Sequence, residues 1–430
     1  MKRAFSQLAW ICLALFTGVT APSGFAQNAS STSTQAHPSP ELSVEDLTRI
    51  VLEHNPILRA SQSSLEAARA GVTSAAALGN PRLEFQQGRW QPLPGPLPNQ
   101  SARGWSLSQP IENPSVRGAR MDAAESGLRG ADRQLAVTRN DLVASVHARV
   151  YEALLYQSEA ASLSETLTLL EQVRERVRVR VETGEAARYE IIKADAEVIQ
   201  ARQRKQTASL QAEQALLELN RLAAGQLPAG WKLRARFMDD ALMPELALLQ
   251  SQAERLNPEL AALRHELDRA QAQLRGVQAS RWPGIEVRYS ESREPDVRLR
   301  MWGLGVQLPL LDQRAGPIAE AQAEVERARI RLEGRQSELR QQVLIAWKAL
   351  DMARLRVEAL SQGVLREAEA ALRVAEAAYR FGERGILDVL DAQRVLRGVR
   401  ADLLQARFEK QAARIALEQL SGQFVNDPRP

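Results

Sequence analysis

An internal duplication constrains the fold of this 430-residue chain more than any other feature of its sequence. Two similar glycine-containing segments are centred on Gly184 and on Gly382, which lies 198 positions later. The dipeptide Asn-Pro at residues 55–56 recurs at residues 257–258, an offset of 202. Because the matches keep the same order at nearly the same spacing, the chain is predicted to use one supersecondary unit twice.

Each copy predicts the same order of elements: a helix, two strands, a very long helix, a turn and a returning helix. The long helices are predicted at residues 116–182 and 316–381, and each would extend about 100 Å at ~1.5 Å per residue. The returning helices are predicted at residues 185–222 and 383–420. The predicted boundaries are 1–26 for a signal peptide, 27–40 for a flexible lead-in, 41–222 for the first repeat, 223–243 for a linker, 244–422 for the second repeat and 423–430 for a C-terminal tail. The linker and the tail are expected to form a belt around the middle of the helices.

Apolar residues recur every seven positions along both long helices, and the phase slips by four at one place in each. The slip falls between Leu142 and Val146 in the first copy and between Leu339 and Val343 in the second. After the slip, the second row is predicted to continue through Leu350, Val357, Val364, Ala371 and Ala378. A seven-residue repeat imposes a left-handed supercoil, and an insertion of four residues unwinds it locally. The pattern therefore predicts coiled-coil packing of the long helices.

Four short segments alternate large apolar residues with polar or small ones. They are predicted as strands at residues 82–90, 103–111, 285–290 and 297–308. The first two are separated by a proline-rich connection at residues 91–98, which cannot be helical. Such pairs are typical of β-hairpins. The alternation suits both a membrane barrel strand and a half-buried strand of a soluble sheet, so it leaves these two alternatives open.

The first 26 residues have the features of a secretory signal peptide. Lys2 and Arg3 precede an apolar run, and small residues follow at Gly24 and Ala26. The only cysteine, Cys12, lies inside this run behind bulky residues, so we expect a mature protein without disulfides or a lipid anchor.

The composition favours long helices over a compact enzyme. Hydrophobic residues make up 44% of the chain, but aromatic residues only 5%, which is typical of coiled coils. The net charge of +4 is small, and arginines alternate with glutamates, so nucleic acid is not an expected partner. No catalytic or phosphate-binding motif is present, and the four histidines lack metal-ligand spacing. We therefore expect no enzyme activity, no cofactor and no metal site.

The tip at residues 379–393, with its Gly-x-x-x-x-x-Asp-Val-Leu-Asp-Ala sequence, resembles that of the bacterial outer-membrane efflux proteins, the TolC-like channel-tunnels. The paired Asn-Pro helix starts and the weaker tip at Gly184 are also similar. Ser108-Gln-Pro-Ile-Glu112 and Arg117-Gly118 resemble the strand-to-helix passage of the subgroup that serves heavy-metal pumps. The resemblance covers nearly the whole mature chain.

The resemblance implies a mixed α+β membrane protein that forms a homotrimer. Three protomers would each contribute four strands to a 12-stranded outer-membrane β-barrel, above a long α-helical coiled-coil barrel in the periplasm. Independently, four strands cannot close a barrel and lipid tolerates no open sheet edge, so strands in a bilayer require oligomerisation. The implied function is an exit duct of a tripartite efflux system that passes substrates, metal cations among them. The implied partners are a periplasmic membrane-fusion adaptor, an inner-membrane pump of the RND type and outer-membrane lipid.

Asp388 and Asp391 are the candidate gate residues. They are three positions apart and so share one helix face, and in a trimer they would form stacked rings of carboxylates, which select cations. Stabilisation of the helix N-terminus by acids explains the same residues equally well. The resemblance implies pore-constricting aspartates here and a latch in which Tyr379 and Arg384 bond Glu190 on a neighbouring hairpin.

Two further groups of residues have predicted roles. The hairpin tips and adaptor-docking region are expected at Gly184, Gly382 and Gly385, where positive φ angles would let the chain turn. Interfacial aromatic residues are predicted at the ends of the strands, although a packed corner of the fold would use tryptophan too. These aromatic residues are Trp90, Trp105, Trp282 and Trp302.

The alternative from another class is a periplasmic coiled-coil adaptor or structural protein with soluble strands. Among ducts, drug efflux and type I protein secretion remain alternatives to metal export.

Overall fold

The computed structural model describes residues 40–90, 100–237, 245–294 and 296–426. The predicted signal peptide, nearly all of the lead-in and the proline-rich connection lie outside the described residues. The elements in chain order are β1 (Glu41–Leu42), α1 (Val44–His54), α2 (Pro56–Ala76), β2 (Arg82–Trp90), β3 (Gln100–Ile111), α3 (Pro114–Glu182), α4 (Arg188–Leu222), β4 (Lys232–Leu233), α5 (Leu246–Leu256), α6 (Pro258–Ala279), β5 (Ile285–Arg293), β6 (Arg298–Val306), α7 (Ala315–Ala359), a π-helical turn (Leu360–Val364), α8 (Leu365–Arg380), α9 (Ile386–Leu420) and α10 (Gln423–Asn426). The predicted order within each repeat is therefore present.

Helix α3 runs without a break for 69 residues. Asn113 precedes it, and its side-chain oxygen accepts a hydrogen bond from the Ser115 amide at 2.9 Å. Pro114 occupies the first helical position, where its fixed φ and missing N–H cost nothing. The helix begins two residues before the predicted position and ends where predicted.

The second long helix differs from the prediction of one continuous helix over 316–381. Helices α7 and α8 are separated by the π-helical turn Leu360–Val364. The repeat offset explains it: Leu339 lies 197 positions after Leu142, whereas Gly382 lies 198 after Gly184. The second copy thus has one extra residue between these points, and a single π turn accommodates an extra residue inside an α-helix.

The π turn changes which residues face the core beyond it. Val364 and Ala371, predicted to continue the heptad row, are exposed. The buried residues there are instead Ala368, Leu372 and Ala375. The predicted row is therefore wrong after Val357, because its phase was extended through the inserted residue.

One asparagine in each repeat joins the pair of short helices to the end of the returning helix. The Asn55 amide nitrogen donates to the Leu222 carbonyl at 2.9 Å, and Asn257 donates to the Leu420 carbonyl at 3.0 Å. The oxygens of both amides cap the helix that follows, α2 or α6. Helix α2 thus starts at the end of α4, and α6 at the end of α9, which makes up most of the difference in length from the long helices.

The strands form one four-stranded antiparallel sheet in the order β2-β3-β5-β6. Leu83 lies opposite Leu107, Leu107 opposite Tyr289, and Tyr289 opposite Trp302. The observed strands match the predicted ones to within three residues at each end. Strands β2 and β6 each have one edge without a partner among the described residues.

The two faces of this sheet differ in chemistry. One face carries large apolar side chains, most of them well exposed in the single chain: Leu83, Phe85, Trp105, Leu107, Ile111, Ile285, Val287, Tyr289, Trp302, Leu304 and Val306. Most residues on the opposite face are charged, amide-bearing, hydroxylic or glycine: Glu84, Gln86, Ser106, Ser108, Glu286, Arg288, Ser290, Ser292, Gly303 and Gly305.

Other segments cover the middle of the helices. Strands β1 and β4 pair in parallel, which joins the start of the described chain to the linker between the repeats. Helix α10 follows the second repeat, and its Phe424 packs against Val143 and Tyr151 of α3. Among the described residues, no helix combines the length and hydrophobicity needed to cross a bilayer.

Candidate gate at the helical tips

The same backbone motif turns both hairpins. Gly184 and Gly382 have φ angles of +80° and +76°. The Glu185 amide donates to the Arg180 carbonyl at 2.8 Å, and the Glu383 amide donates to the Ala378 carbonyl at 2.9 Å. These are Schellman turns, in which a residue of positive φ follows the last helical turn. The positive φ angle therefore favours glycine at Gly184 and Gly382.

Gly385 has a different role from the predicted one. Its φ of −78° and ψ of 164° are extended, and it precedes the first residue of α9. Ala187 holds the equivalent position before α4 with φ −73° and ψ 141°. A positive φ is therefore not the reason for glycine at Gly385.

The tip core positions the candidate acids. Ile386, Val389 and Leu390 of α9 are buried in a cluster that includes Val173 and Val177 of α3. Asp388 is half-exposed and Asp391 is exposed. The side of α9 that carries these acids therefore points away from the core.

Both acids form ion pairs with arginines of the same chain. Asp388 lies 3.6 Å from Arg384, and Asp391 lies 3.1 Å from Arg394. The residue that precedes α9 makes no side-chain cap hydrogen bond, so neither acid is a capping residue in the strict sense. The favourable effect of acids in the first helical turn still applies to Asp388.

Arg394 also joins the two repeats. Its guanidinium lies 2.8 Å from Glu197 of α4, whose side chain is only 17% exposed. The hydrogen bond to Glu197 raises the pKa of Arg394 above its usual range. Sequence reasoning missed Arg394, although its position three residues after Asp391 is a typical helical ion-pair spacing.

The three predicted latch residues are not joined within one chain. Arg384 pairs with Asp388 rather than with Glu190. The Tyr379 hydroxyl is buried, and it has no hydrogen-bond partner among the described residues; the same is true of one carboxylate oxygen of Glu190. Such groups cost free energy until they find partners.

A second residue that sequence reasoning missed contacts Tyr379. The guanidinium carbon of Arg180 lies 4.8 Å from the centre of the Tyr379 ring, a cation–π geometry. Arg180 belongs to the first hairpin and Tyr379 to the second. Nothing in the heptad pattern indicated this contact.

A cleft of about 630 Å³ separates the two tips. Its lining is both charged and apolar: Glu175, Arg176, Val179, Arg180, Glu185, Glu376, Tyr379, Arg380, Phe381 and Ile386 are among its residues. Phe381 is 78% exposed at its edge. The tip therefore has a mixed surface with an accessible apolar residue.

Three of the four tryptophans occupy positions other than those predicted. Trp90 does end β2, but Trp105 and Trp302 lie inside their strands, and Trp282 lies between α6 and β5. Trp105 and Trp302 flank Tyr289, with ring centres 5.3 Å and 4.9 Å from it. The aromatic row therefore crosses the sheet, because alternation places these residues on one face.

The described residues contain no group of three or more histidine, cysteine, aspartate or glutamate side chains arranged to hold a metal ion. The tip acids lie beside arginines. Their arrangement in one chain is that of an ion-paired surface.

Comparisons with known proteins assign this architecture. The family model described as outer membrane efflux protein matches residues 47–225 and 249–423. The chain is 28% identical over 394 residues to the cobalt-zinc-cadmium resistance protein CzcC of Cupriavidus metallidurans, covering 89% of this chain and 90% of that protein.

Two solved structures share the fold. A membrane protein from Pseudomonas aeruginosa superposes with a TM-score of 0.77 at 22% identity, covering 88% of this chain and 90% of that one. The transmembrane channel protein CusC superposes with a TM-score of 0.70 at 20% identity, covering 88% and 91%. The chain therefore belongs to the outer membrane efflux protein family, and it is an outer-membrane exit duct of a tripartite efflux system that works with an adaptor and an inner-membrane pump.

Proposed function

We propose that this duct is a homotrimer in which three four-stranded sheets close a 12-stranded barrel. The observation that carries the proposal is the sheet itself, with one apolar face, one polar face and an unpaired edge on both β2 and β6. A bilayer does not tolerate open edges. Pairing β6 of one protomer with β2 of the next satisfies both edges and leaves the apolar face to lipid.

The gate in this trimer consists of Asp388 and Asp391 from each protomer. Three copies form two carboxylate rings near the pore axis, and such rings favour cations. The buried, unpartnered hydroxyl of Tyr379 and carboxylate oxygen of Glu190 support the latch, because a neighbouring hairpin can provide their partners. Arg384 then exchanges its ion pair with Asp388 for one across the protomer interface.

The adaptor docks at the tips, around Gly184, Gly382 and Gly385. The mixed lining of the cleft and the exposed Phe381 suit a partner helix that carries both apolar and charged side chains. The pump is of the RND type. The tip acids and the likeness to CzcC, whose name refers to cobalt, zinc and cadmium resistance, support divalent metal cations as the cargo.

Membrane extraction tests the trimer. We expect the protein to stay in the membrane during a carbonate wash and to migrate in mild detergent as a trimer that heating converts to monomer. A soluble coiled-coil adaptor would be released by carbonate. Release, or a monomer without bound detergent, would refute the proposal.

The latch is tested by the double variant Tyr379→Phe and Arg384→Ser. Because both changes remove bonds between hairpins in the closed trimer, we expect a higher single-channel conductance in planar bilayers. The control is Arg373→Ser, which makes the same arginine-to-serine change at an exposed position of α8 away from the tip. Equal conductance of the double variant and the wild type would contradict the latch.

A further inference from the structure

The end of the sheet far from the helices carries a row of arginines. Arg103 of β3 lies directly opposite Arg293 of β5, and Arg293 lies directly opposite Arg298 of β6. Like charges directly opposite on neighbouring strands destabilise a sheet. Three arginines in one cross-strand row therefore need compensating negative charge.

The row lies on the apolar face. Residues two apart in a strand share a face, so Arg103 lies with Trp105, and Arg298 and Arg300 lie with Trp302. The aromatic row formed by Trp105, Tyr289 and Trp302 separates these arginines from the aliphatic part of the face. The arginines thus lie beyond the aromatic row, at the end of the sheet that is far from the helices.

The charge of the row is only partly balanced within the chain. Glu291 pairs with both Arg298 and Arg300, and its side chain is 15% exposed. Arg103 and Arg293 are exposed and make no ion pair or hydrogen bond with a described residue. These two neighbouring cations therefore have no counterion in the part of the chain that the structure describes.

The charges on the opposite face of the sheet are balanced. Arg288 lies 2.8 Å from Glu286, and Arg82 lies 3.9 Å from Glu84. The uncompensated positive charge is thus specific to the apolar face. Its counterion must come from whatever covers that face.

We propose that Arg103 and Arg293, with Arg298 beside them, bind the phosphate groups of the acylated glycolipid in the outer leaflet of the outer membrane. A lipid on the apolar face places its acyl chains against Leu107 and Leu304 and its headgroup beyond the aromatic row. Guanidinium groups bind phosphate oxygens in a bidentate manner. The inference rests on the proposed membrane position of the sheet.

The experiment measures binding of bisphosphorylated lipid A to the detergent-purified trimer. The variant is Arg103→Gln with Arg293→Gln. The control is Arg82→Gln with Arg288→Gln, which makes the same chemical change in the polar face. At ~1 kcal/mol for each arginine near a lipid surface, the variant should bind about thirtyfold more weakly, whereas the control should bind like wild type.

Three results would overturn the inference: unchanged affinity in the Arg103 and Arg293 variant, an equal loss in the control, or inorganic phosphate that competes as well as lipid A at equal phosphate concentration. The same preparations are assayed for detergent binding and heat-sensitive trimers. If both are present without lipid binding, only this inference fails. If detergent binding is absent, the membrane position of the sheet fails with it.

Discussion

The two repeats of this chain have the same elements but differ in how their long helices reach the tip. Helix α3 is continuous, whereas its counterpart is divided into α7 and α8 by the π-helical turn Leu360–Val364. Both hairpins nevertheless end in the same Schellman turn. The comparison shows that the duplicated unit conserves its two ends, the asparagine junction and the glycine turn, and accommodates an inserted residue between them.

The tips also differ in chemistry. At the offset of 198, Asp388 and Asp391 correspond to Glu190 and Lys193, and Arg384 corresponds to Ala186. The second hairpin thus carries most of the candidate gate. The first hairpin supplies contacts to it, through Arg180 on Tyr379 and through Glu197 on Arg394.

The largest effect is expected when one residue is deleted from α3 and the result is compared with the deletion of one residue from the π-helical turn. Deletion of Gly363 should leave a continuous α-helix with the downstream phase intact, because the π turn holds one residue in excess. Deletion of Glu165, its exposed counterpart in α3, should rotate Leu167, Leu170 and Val173 off the core. At roughly 1.5–3 kcal/mol for each side chain, the loss is on the order of 6 kcal/mol.

Limited trypsin digestion of the purified protein measures the effect of both deletions on the tip, because trypsin cleaves after arginine and the tip is rich in arginine. The Glu165 deletion should expose the tip to cleavage, and the Gly363 deletion should not. Equal sensitivity of the two would show that the π turn is not an accommodated insertion.

A smaller effect is expected at the asparagine junctions. Asn257→Ala removes two cap hydrogen bonds and the bond to the Leu420 carbonyl, whereas Asn55→Ala removes one cap bond and the bond to Leu222. We expect losses of about 3 and about 2 kcal/mol in the free energy of unfolding. Asn257→Ser keeps a capping oxygen but cannot reach Leu420, so it should recover about 1 kcal/mol. Thermal unfolding of the variants measures these losses. Equal destabilisation by Asn257→Ser and Asn257→Ala would contradict the capping role of Asn257.

The smallest effect is expected from the tip glycines. Gly184→Ala and Gly382→Ala should each cost about 1 kcal/mol, since an added Cβ meets no atom within 4 Å and only the positive φ opposes it. Gly385→Ala is the control and should be neutral, because Ala187 already occupies the equivalent position. Thermal unfolding of the three variants measures the difference, and an equal cost at Gly385 would show that φ is not the cause.

Periodicity and turn chemistry were sufficient to predict the order of elements and most of their bounds. The alternation of apolar and polar residues predicted both ends of β2 correctly. The Asn-Pro pairs predicted where α2 and α6 begin. The π turn was not predicted, although the change of offset from 197 to 198 already indicated an inserted residue. A heptad row extended by counting takes no account of an inserted residue, so it is one residue out of register beyond the π turn.

The candidate site was predicted less completely than the fold. The tip acids lie on the exposed side of α9. The pair of Asp391 with Arg394 follows a helical spacing that the sequence already contains, whereas the pair of Asp388 with Arg384 depends on side-chain geometry at the turn. Arg180 lies about 200 positions before Tyr379 in the sequence, and no local sequence pattern relates the two residues. Contacts between protomers cannot be read from the sequence of one chain.

The π turn also determines where the hairpins end. A widened turn takes up a residue with little added rise, so the segment from Leu339 to Gly382 should be about as long as the segment from Leu142 to Gly184 despite its extra residue. In a trimer, six tips would then lie at one level instead of three projecting beyond the others. A flat rim of this kind would let one partner contact every tip at once.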